Sequence, residues 1–210
     1  MIYPDIRLEK ILWKIGKQYI AGLDEAGRGP LAGPVVAAAV VITSPDQVVG
    51  TVRDSKRMTE NQRNIAFELI KDRSEAFGIG IVSEKEIDKV GIKRAVHDAM
   101  MIAVSEVEKK LKHSLDYIIA DGGIYLLKGY DMESINKGDE NHYSIAAASV
   151  LAKVTRDRIM LEYAKKYPKY SFDSNVGYGT KQHIKAIKKH GLCDIHRKSF
   201  EPIKSLLDGI

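Results

Sequence analysis

The chain has 210 residues, of which 44% are hydrophobic, so it is long and apolar enough to form a globular domain and is not disordered. Its 33 Lys and Arg exceed its 28 Asp and Glu, giving a formal net charge of +5, a mild excess that suits a polyanionic partner without establishing one. The single cysteine excludes an internal disulfide, and the longest apolar run is too short to span a bilayer, so we expect a cytoplasmic protein without a membrane anchor.

The first half of the chain predicts strands interleaved with helices. Apolar residues at helical spacing indicate a short helix over residues 8–16. Capping boxes at Thr59 and Ser83 predict that helices begin there, and a long helix is expected over about 93–110. Short apolar runs rich in small and β-branched residues predict strands over residues 19–24, 35–43 and 76–82.

The second half of the chain adds one strand and a mostly helical end. A strand is predicted over 115–120, a long helix over 143–163 and a loop over 172–179. This order favours an α/β domain of three layers with a mixed central sheet, whose first two strands form an antiparallel pair. No linker divides the chain, so we expect a single domain over 1–210, with residues from about 165 onwards as a helical C-terminal region.

Acidic residues follow two of the predicted buried strands. Asp24 and Glu25 precede a glycine turn, and Asp121 follows the strand at 115–120. Carboxylates at strand ends can converge, and oxygen ligands without His or Cys favour Mg²⁺ or Mn²⁺ over zinc. The alternative is that each acid simply ends its strand in a turn. If Asp24 and Glu25 share a metal site, the strand must bulge or end between them, because neighbouring residues point to opposite faces.

Asp139 is a further candidate ligand. It lies in the charged turn Lys137-Gly138-Asp139, which on composition alone favours a solvent-facing position. A fourth carboxylate there would complete a ligand set for two metal ions. Two ions roughly 4 Å apart can activate a water and stabilise the leaving oxygen of a phosphodiester.

Six sequence blocks occur in an order and spacing that closely resemble ribonuclease HII, the type 2 ribonuclease H, over about residues 19–202. They are DEAGRGP at 24–30, DSK at 54–56, IADG at 119–122, KGD at 137–139, SIAAASVLAKVTRD at 144–157 and GYGT at 177–180. The resemblance implies an RNase H-like fold. It also implies metal-dependent hydrolysis of the RNA strand of RNA–DNA hybrids and of duplex DNA 5′ to a single embedded ribonucleotide, leaving 5′-phosphate and 3′-hydroxyl ends.

Matched motif to motif, the resemblance assigns roles to individual residues. It implies that Asp24, Glu25, Asp121 and Asp139 are the catalytic residues and the ligands of two Mn²⁺ or Mg²⁺ ions. It implies that substrate is contacted by Gly27, Arg28, Gly29 and Tyr178. The glycines let backbone approach a ribose 2′-OH, Arg28 offers donors to phosphate, and Tyr178 would stack on the sugar where RNA gives way to DNA.

Other residues keep two interpretations. Lys56 and Lys153 either contact phosphate or face solvent, and Ser149 either lets its helix pack closely or contacts phosphate. Asp157 is interpreted as a supporting acid that pairs with Arg156 or Arg158. The basic segment 181–200 suits a duplex backbone or a solvated surface.

Two other functions compete with this interpretation. One is the sibling type 3 ribonuclease H, which prefers longer hybrids, and the other is a non-catalytic protein that binds hybrids. The glycine turn and Tyr178 disfavour the first, and the set of acids disfavours the second. No obligatory protein partner is evident from the sequence.

Overall fold

A five-stranded mixed sheet organises the protein, whose computed structural model describes residues 3–122 and 127–208. The strand order is β3-β2-β1-β4-β5. The strands are β1 Ile20–Ala26, β2 Val35–Ile42, β3 Ala76–Val82, β4 Tyr117–Asp121 and β5 Met132–Ile135. Strands β3, β2 and β1 are antiparallel neighbours, whereas β4 and β5 add to β1 in parallel. The predicted antiparallel pair of first strands and the mixed sheet are therefore confirmed.

Helices cover both faces of the sheet and form the C-terminal region. They are α1 Arg7–Lys14, α2 Glu60–Arg73, α3 Glu84–Val90, α4 Ile92–Leu111, α5 Gly138–Asn141, α6 Tyr143–Lys166, α7 Phe172–Asn175, α8 Lys181–His190 and α9 Ile203–Asp208. One face packs on α4 and the other on α6 and α2, which gives the three expected layers. Among the described residues, no helix is both long and apolar enough to cross a membrane.

Small residues set how closely the helices approach the sheet. A Cβ atom on Gly22 of β1 would lie only 2.2 Å from the Ser144 carbonyl carbon, at the start of α6. The small residues that begin α6 therefore lie against the strand that carries Asp24 and Glu25. This contact fixes α6 beside the end of β1, where the functional residues lie.

The C-terminal region packs into its own apolar cluster against the end of α6. Phe172, Ile187, Ile195 and Ile203 are buried there together with Met160 of α6. The expected loop at 172–179 begins with the short helix α7, and residues 191–202 between α8 and α9 are not helical. That the chain forms one domain, with this region as its extension, stays a prediction.

Candidate active site

Three aspartates from separate parts of the chain meet at one edge of the sheet. Asp24 lies near the end of β1, and Asp121 ends the neighbouring parallel strand β4, whose register pairs Leu23 with Ala120. Asp139 comes from the first turn of α5. One carboxylate oxygen from each aspartate lies within 4.8 Å of those from the other two. The structure thus brings together three of the four carboxylates expected as ligands.

The turn that carries Asp139 is tied directly to Asp121. The Gly138 amide donates a hydrogen bond of 2.6 Å to Asp121 Oδ1. A Cβ atom on Gly138 would lie 2.6 Å from Ile145 Cδ1, so a larger residue would push the turn away. Asp139 is only 4% exposed, and the solvent-facing alternative for this residue is therefore wrong.

The aspartates repel one another in a buried setting. Burial and the charges of Glu25 and Asp121 raise the pKa of Asp24 well above its ordinary range. Burial and Asp121 likewise raise the pKa of Asp139, while Lys56 opposes that shift. Carboxylates in this position are neutralised by protons or by a hard cation, and an all-oxygen set suits Mg²⁺ or Mn²⁺. These three aspartates could therefore hold a metal ion.

Two buried serines support Asp24, a role that the sequence did not reveal. Ser149 of α6 donates a hydrogen bond to Asp24, and its Oγ lies 2.9 Å from Ser55 Oγ. Because Ser149 has one proton to donate, Ser55 is the donor within the serine pair. Ser149 is 5% exposed and its hydroxyl is engaged on both sides, which disfavours the phosphate contact considered for it.

Glu25 lies beside this cluster rather than inside it. Strand β1 neither ends nor bulges between the two acids, because Asp24 pairs with Ala38 and Glu25 with Ala37 in an uninterrupted ladder. The group that meets within 4.8 Å among the described residues is made of the three aspartates. Glu25 nevertheless lines the same cleft as Asp24, with Oε1 3.7 Å from Arg28 Nη1.

This cleft, of about 410 Å³, joins Asp24 and Glu25 to every residue expected to contact substrate. Those residues are Gly27, Arg28, Gly29, Lys56, Lys153 and Tyr178. A Cβ atom on Gly29 would lie 3.7 Å from Tyr178 Cε1, so the ring lies next to the glycine turn. The ring is 47% exposed and is therefore accessible to a nucleic acid.

Both candidate lysines form ion pairs at the cleft. Lys56 Nζ lies 3.4 Å from Asp139 Oδ2, and Lys153 Nζ lies 2.7 Å from Asp157 Oδ1. Asp157 thus pairs with Lys153 one helical turn away, and the expectation that it pairs with Arg156 or Arg158 is wrong. That Asp157 is a supporting acid stays a prediction.

Several residues near the cleft were not predicted as functional. Arg156 and Arg197 are buried beneath the glycine turn, and His183 and His196 are buried nearby. Arg197 and both histidines lie in the basic segment 181–200, which was interpreted as a surface for a duplex backbone or for solvent. Their only sequence signal was the presence of charged and polar residues among apolar ones, which does not distinguish a buried side chain from an exposed one.

The chain is similar to known proteins over most of its length. A family model described as Ribonuclease HII matches residues 21–203. A ribonuclease HII of Geobacillus sp. (strain WCH70) is 46% identical over 202 residues, which are 96% of this chain and 71% of that protein. The ribonuclease H2 of Pyrococcus horikoshii OT3 has a similar structure, with a TM-score of 0.74 and 26% identity over 91% of this chain and 98% of that one.

The sibling class shares the fold at lower identity. Bst-RNase HIII, solved in complex with Mn²⁺, aligns with a TM-score of 0.67 and 17% identity, covering 93% of this chain and 71% of that one. The family model and the 46% identical relative are both of type 2. Because a family model matches residues 21–203 and a relative is 46% identical over 96% of the chain, the chain belongs to the ribonuclease HII family.

Proposed function

We propose that this enzyme hydrolyses the RNA strand of RNA–DNA hybrids and also nicks duplex DNA on the 5′ side of a single embedded ribonucleotide. Membership of the family carries the ribonuclease H activity itself. One observation supports the finer specificity: Asp24, the glycine turn of residues 27–29 and Tyr178 line the same cleft. A ribose bound there would meet the acids, the turn and the ring together.

The proposed ligands and catalytic residues are Asp24, Glu25, Asp121 and Asp139. Their fit to divalent metal rests on three carboxylates within 4.8 Å and on the raised pKa of Asp24, since a cation relieves that repulsion. Two bound Mg²⁺ or Mn²⁺ ions would activate a water and neutralise the leaving oxygen. The chain's own part is to hold the carboxylates in place, with Ser149 donating to Asp24 and the Gly138 amide donating to Asp121.

The glycine turn is proposed to distinguish RNA from DNA. The 2′-OH both donates and accepts hydrogen bonds, so backbone groups can read it if nothing keeps the sugar away. Gly27 has φ of +94° and a Cβ atom on it would lie 2.1 Å from Arg156 Nε, so this conformation requires glycine. Arg28 and the two cleft lysines, Lys56 and Lys153, are proposed to bind phosphates, and Tyr178 to stack on the sugar that follows the ribonucleotide.

The test is cleavage of two labelled substrates by the purified protein. One is duplex DNA with one ribonucleotide and the other is a continuous RNA–DNA hybrid, each with Mg²⁺, Mn²⁺ or EDTA. We expect a single metal-dependent nick 5′ to the lone ribonucleotide and multiple cuts in the hybrid. Because the proposed reaction needs only nucleic acid and metal, no partner protein should be required.

The alternatives predict different products. Cleavage of the hybrid alone would indicate type 3 behaviour and remove the role given to Tyr178. Binding without cleavage that survives EDTA would indicate a non-catalytic binder. Replacing Tyr178 with Ala should impair cutting at the lone ribonucleotide, whereas the exposed Tyr3 serves as a matched control for loss of a tyrosine ring.

We also propose that the protein works in the cytoplasm as a single catalytic domain over residues 1–210. The excess of Lys and Arg over Asp and Glu is consistent with a polyanionic substrate, and the single cysteine is consistent with a reducing compartment. Limited proteolysis of the purified protein tests the domain assignment, because a single domain should be cut only near its ends and in exposed loops.

A further inference from the structure

The loop of residues 27–34, which contains the glycine turn, rests on the buried side chain of Arg156. This residue of α6 is 1% exposed. Its guanidinium donates hydrogen bonds to the carbonyls of Ala32 at 3.1 Å and Pro34 at 3.0 Å. A third bond of 2.9 Å reaches the carbonyl of Val176, two residues before the ring of Tyr178. One side chain therefore holds both the loop of residues 27–34 (the turn loop) and residues 176–178 (the tyrosine segment).

Arg197 completes this support from the C-terminal region. It is fully buried, and its guanidinium donates to four carbonyls of the same loop, those of Gly27 at 2.6 Å, Arg28 at 3.2 Å, Gly33 at 2.9 Å and Pro34 at 3.1 Å. The carbonyl of Pro34 thus receives a hydrogen bond from both arginines. Because the carbonyls of the loop point inwards to these cations, the loop cannot turn over without breaking several charge-assisted bonds.

Backbone hydrogen bonds tie the same three segments together. The Leu31 amide donates to the Gly177 carbonyl, and the Gly33 amide donates to the Ile195 carbonyl, both at 2.8 Å. The Arg197 amide in turn donates to the Leu31 carbonyl at 2.8 Å. The turn loop therefore lies between the tyrosine segment and the segment that carries Arg197.

A chain of buried histidines fixes the carbonyl of Tyr178 itself. His183 Nδ1 lies 2.8 Å from that carbonyl, which can only accept, so Nδ1 carries the proton and Nε2 is an acceptor. His196 Nε2, 3.1 Å away, must then donate to His183 Nε2. The remaining nitrogen, His196 Nδ1, accepts from the Cys193 amide at 2.9 Å. All three hydrogen bonds are therefore donated in the same direction, towards the Tyr178 carbonyl.

Packing alone does not account for two buried arginines side by side. Burying like charges is costly, and well-packed apolar side chains often stabilise such a site better. An apolar side chain would nevertheless leave the carbonyls of the loop without donors, and a lysine offers three donors from one atom where arginine offers five in a planar fork. The geometry of this loop therefore requires arginine specifically.

We infer that Arg156 and Arg197 are positioning residues for ribonucleotide recognition, which hold the glycine turn and Tyr178 in the relative arrangement that reads a single ribose. This inference rests on the proposed function. Neither residue need touch the ribose or the scissile phosphate. A lone ribonucleotide offers one productive register, so it depends fully on this arrangement, whereas a continuous hybrid offers many.

The test compares Arg197→Lys and Arg156→Lys with the wild type on the two substrates defined above. We expect kcat/KM for the lone ribonucleotide to fall roughly ten- to a hundredfold, as for small misplacements of a site, and to fall much less for the hybrid. Arg158→Lys is the matched control, because Arg158 lies two residues along α6 and reaches outwards to Asn64 and Glu68. Folded Arg197→Lys and Arg156→Lys proteins with the wild-type ratio of the two activities would overturn the inference.

Hydrogen exchange of the Leu31 and Gly33 amides gives a readout that does not need activity. Slow exchange in the wild type and faster exchange in the two lysine variants support the anchoring, and rapid exchange in the wild type overturns it even if both variants fail to fold. A wild type that never cuts at a lone ribonucleotide but shows this exchange pattern would refute the proposed function, and with it the recognition role. A lower ratio of lone-ribonucleotide to hybrid cleavage in the lysine variants, together with faster exchange of the Leu31 and Gly33 amides, supports both the proposed function and the positioning role.

Discussion

At the scale of single residues, Asp121 links the predicted ligands most directly, because it touches the Gly138 amide and lies within 4.8 Å of Asp24 and Asp139. Replacing it with Asn preserves its shape and the accepted hydrogen bond but removes the charge. We expect activity to fall by more than about a hundredfold, since even outer partners of a metal ligand are worth roughly ten- to a hundredfold. Cleavage assays and thermal unfolding of Asp121→Asn measure the two effects.

The control for this change is Asp131→Asn, because the Asp131 side chain is 72% exposed and pairs with Lys17. It should retain activity. An Asp121→Asn protein with wild-type activity would remove Asp121 from the site, and an unfolded one would show a structural role instead.

The histidine pair makes a separate prediction about stability. Burial and the neighbouring His183 lower the pKa of His196 from 6.5 to about 4. The unfolded chain therefore takes up a proton as pH falls below 6.5 while the folded protein does not, so the free energy of unfolding declines between pH 6.5 and about 4. The full effect is on the order of 3 kcal/mol.

Denaturant unfolding at pH 7 and pH 4.5 measures this effect. The decline on acidification should be smaller in His196→Gln than in the wild type. It should be unchanged in His190→Gln, which alters an exposed histidine at the end of α8. An equal decline in His196→Gln and the wild type would show that other groups control acid stability.

How far the site could be predicted also differs by residue. Asp24 and Asp121 could be predicted as candidate ligands because a carboxylate at the end of a buried strand is a local pattern, but that pattern fits a simple turn equally well. Asp139 was a candidate ligand whose local composition favoured a solvent-facing turn, and its assignment rested on the resemblance of the Lys137-Gly138-Asp139 motif. Its burial could not be predicted locally, because the turn is bonded through the Gly138 amide to Asp121, 17 positions earlier. The buried position of Arg197 could not be predicted. Its hydrogen-bond partners lie more than 160 positions earlier, and its local sequence is as basic as that of the exposed lysines around it.

At the scale of elements, a glycine of β3 lets α4 lie directly against the sheet. A Cβ atom on Gly80 would lie 1.9 Å from the Ala99 carbonyl oxygen in α4. We expect Gly80→Ala to force the helix away and destabilise the protein by about 1 to 3 kcal/mol or more. Chemical denaturation measures this change.

Gly50→Ala is the matched control, because nothing lies within 4 Å of its added Cβ. It should change the free energy of unfolding little. Equal stability of Gly80→Ala and the wild type would mean that α4 can move without loss.

Strand limits were predictable only where the pattern was local. The prediction for β3 matches Ala76–Val82. The end of β1 was placed at Asp24 because glycines follow, but Glu25 and Ala26 continue the ladder opposite β2. Strand β5 was missed because it is four residues long, is partly exposed, and pairs with β4 alone.

At the scale of the whole molecule, the clustered carboxylates have an electrostatic cost for the stability of the folded protein. The carboxylates that could hold a metal also repel one another, and burial raises the pKa of Asp24. The folded protein without metal therefore carries an electrostatic penalty that the unfolded chain escapes. Any cation that binds only the folded state should return this stability by mass action.

Thermal and denaturant unfolding of the wild type and of Asp24→Asn, with EDTA or with Mn²⁺, tests this electrostatic penalty. In the wild type, Mn²⁺ at a hundred times its Kd should add about 2.7 kcal/mol to the free energy of unfolding. In EDTA, Asp24→Asn should be more stable than the wild type, because it removes one charge and keeps an oxygen for the Ser149 hydroxyl. The same variant should lose most of the response to Mn²⁺. Lower stability of Asp24→Asn than of the wild type in EDTA would contradict the electrostatic penalty, since it would show that the charge of Asp24 stabilises the fold.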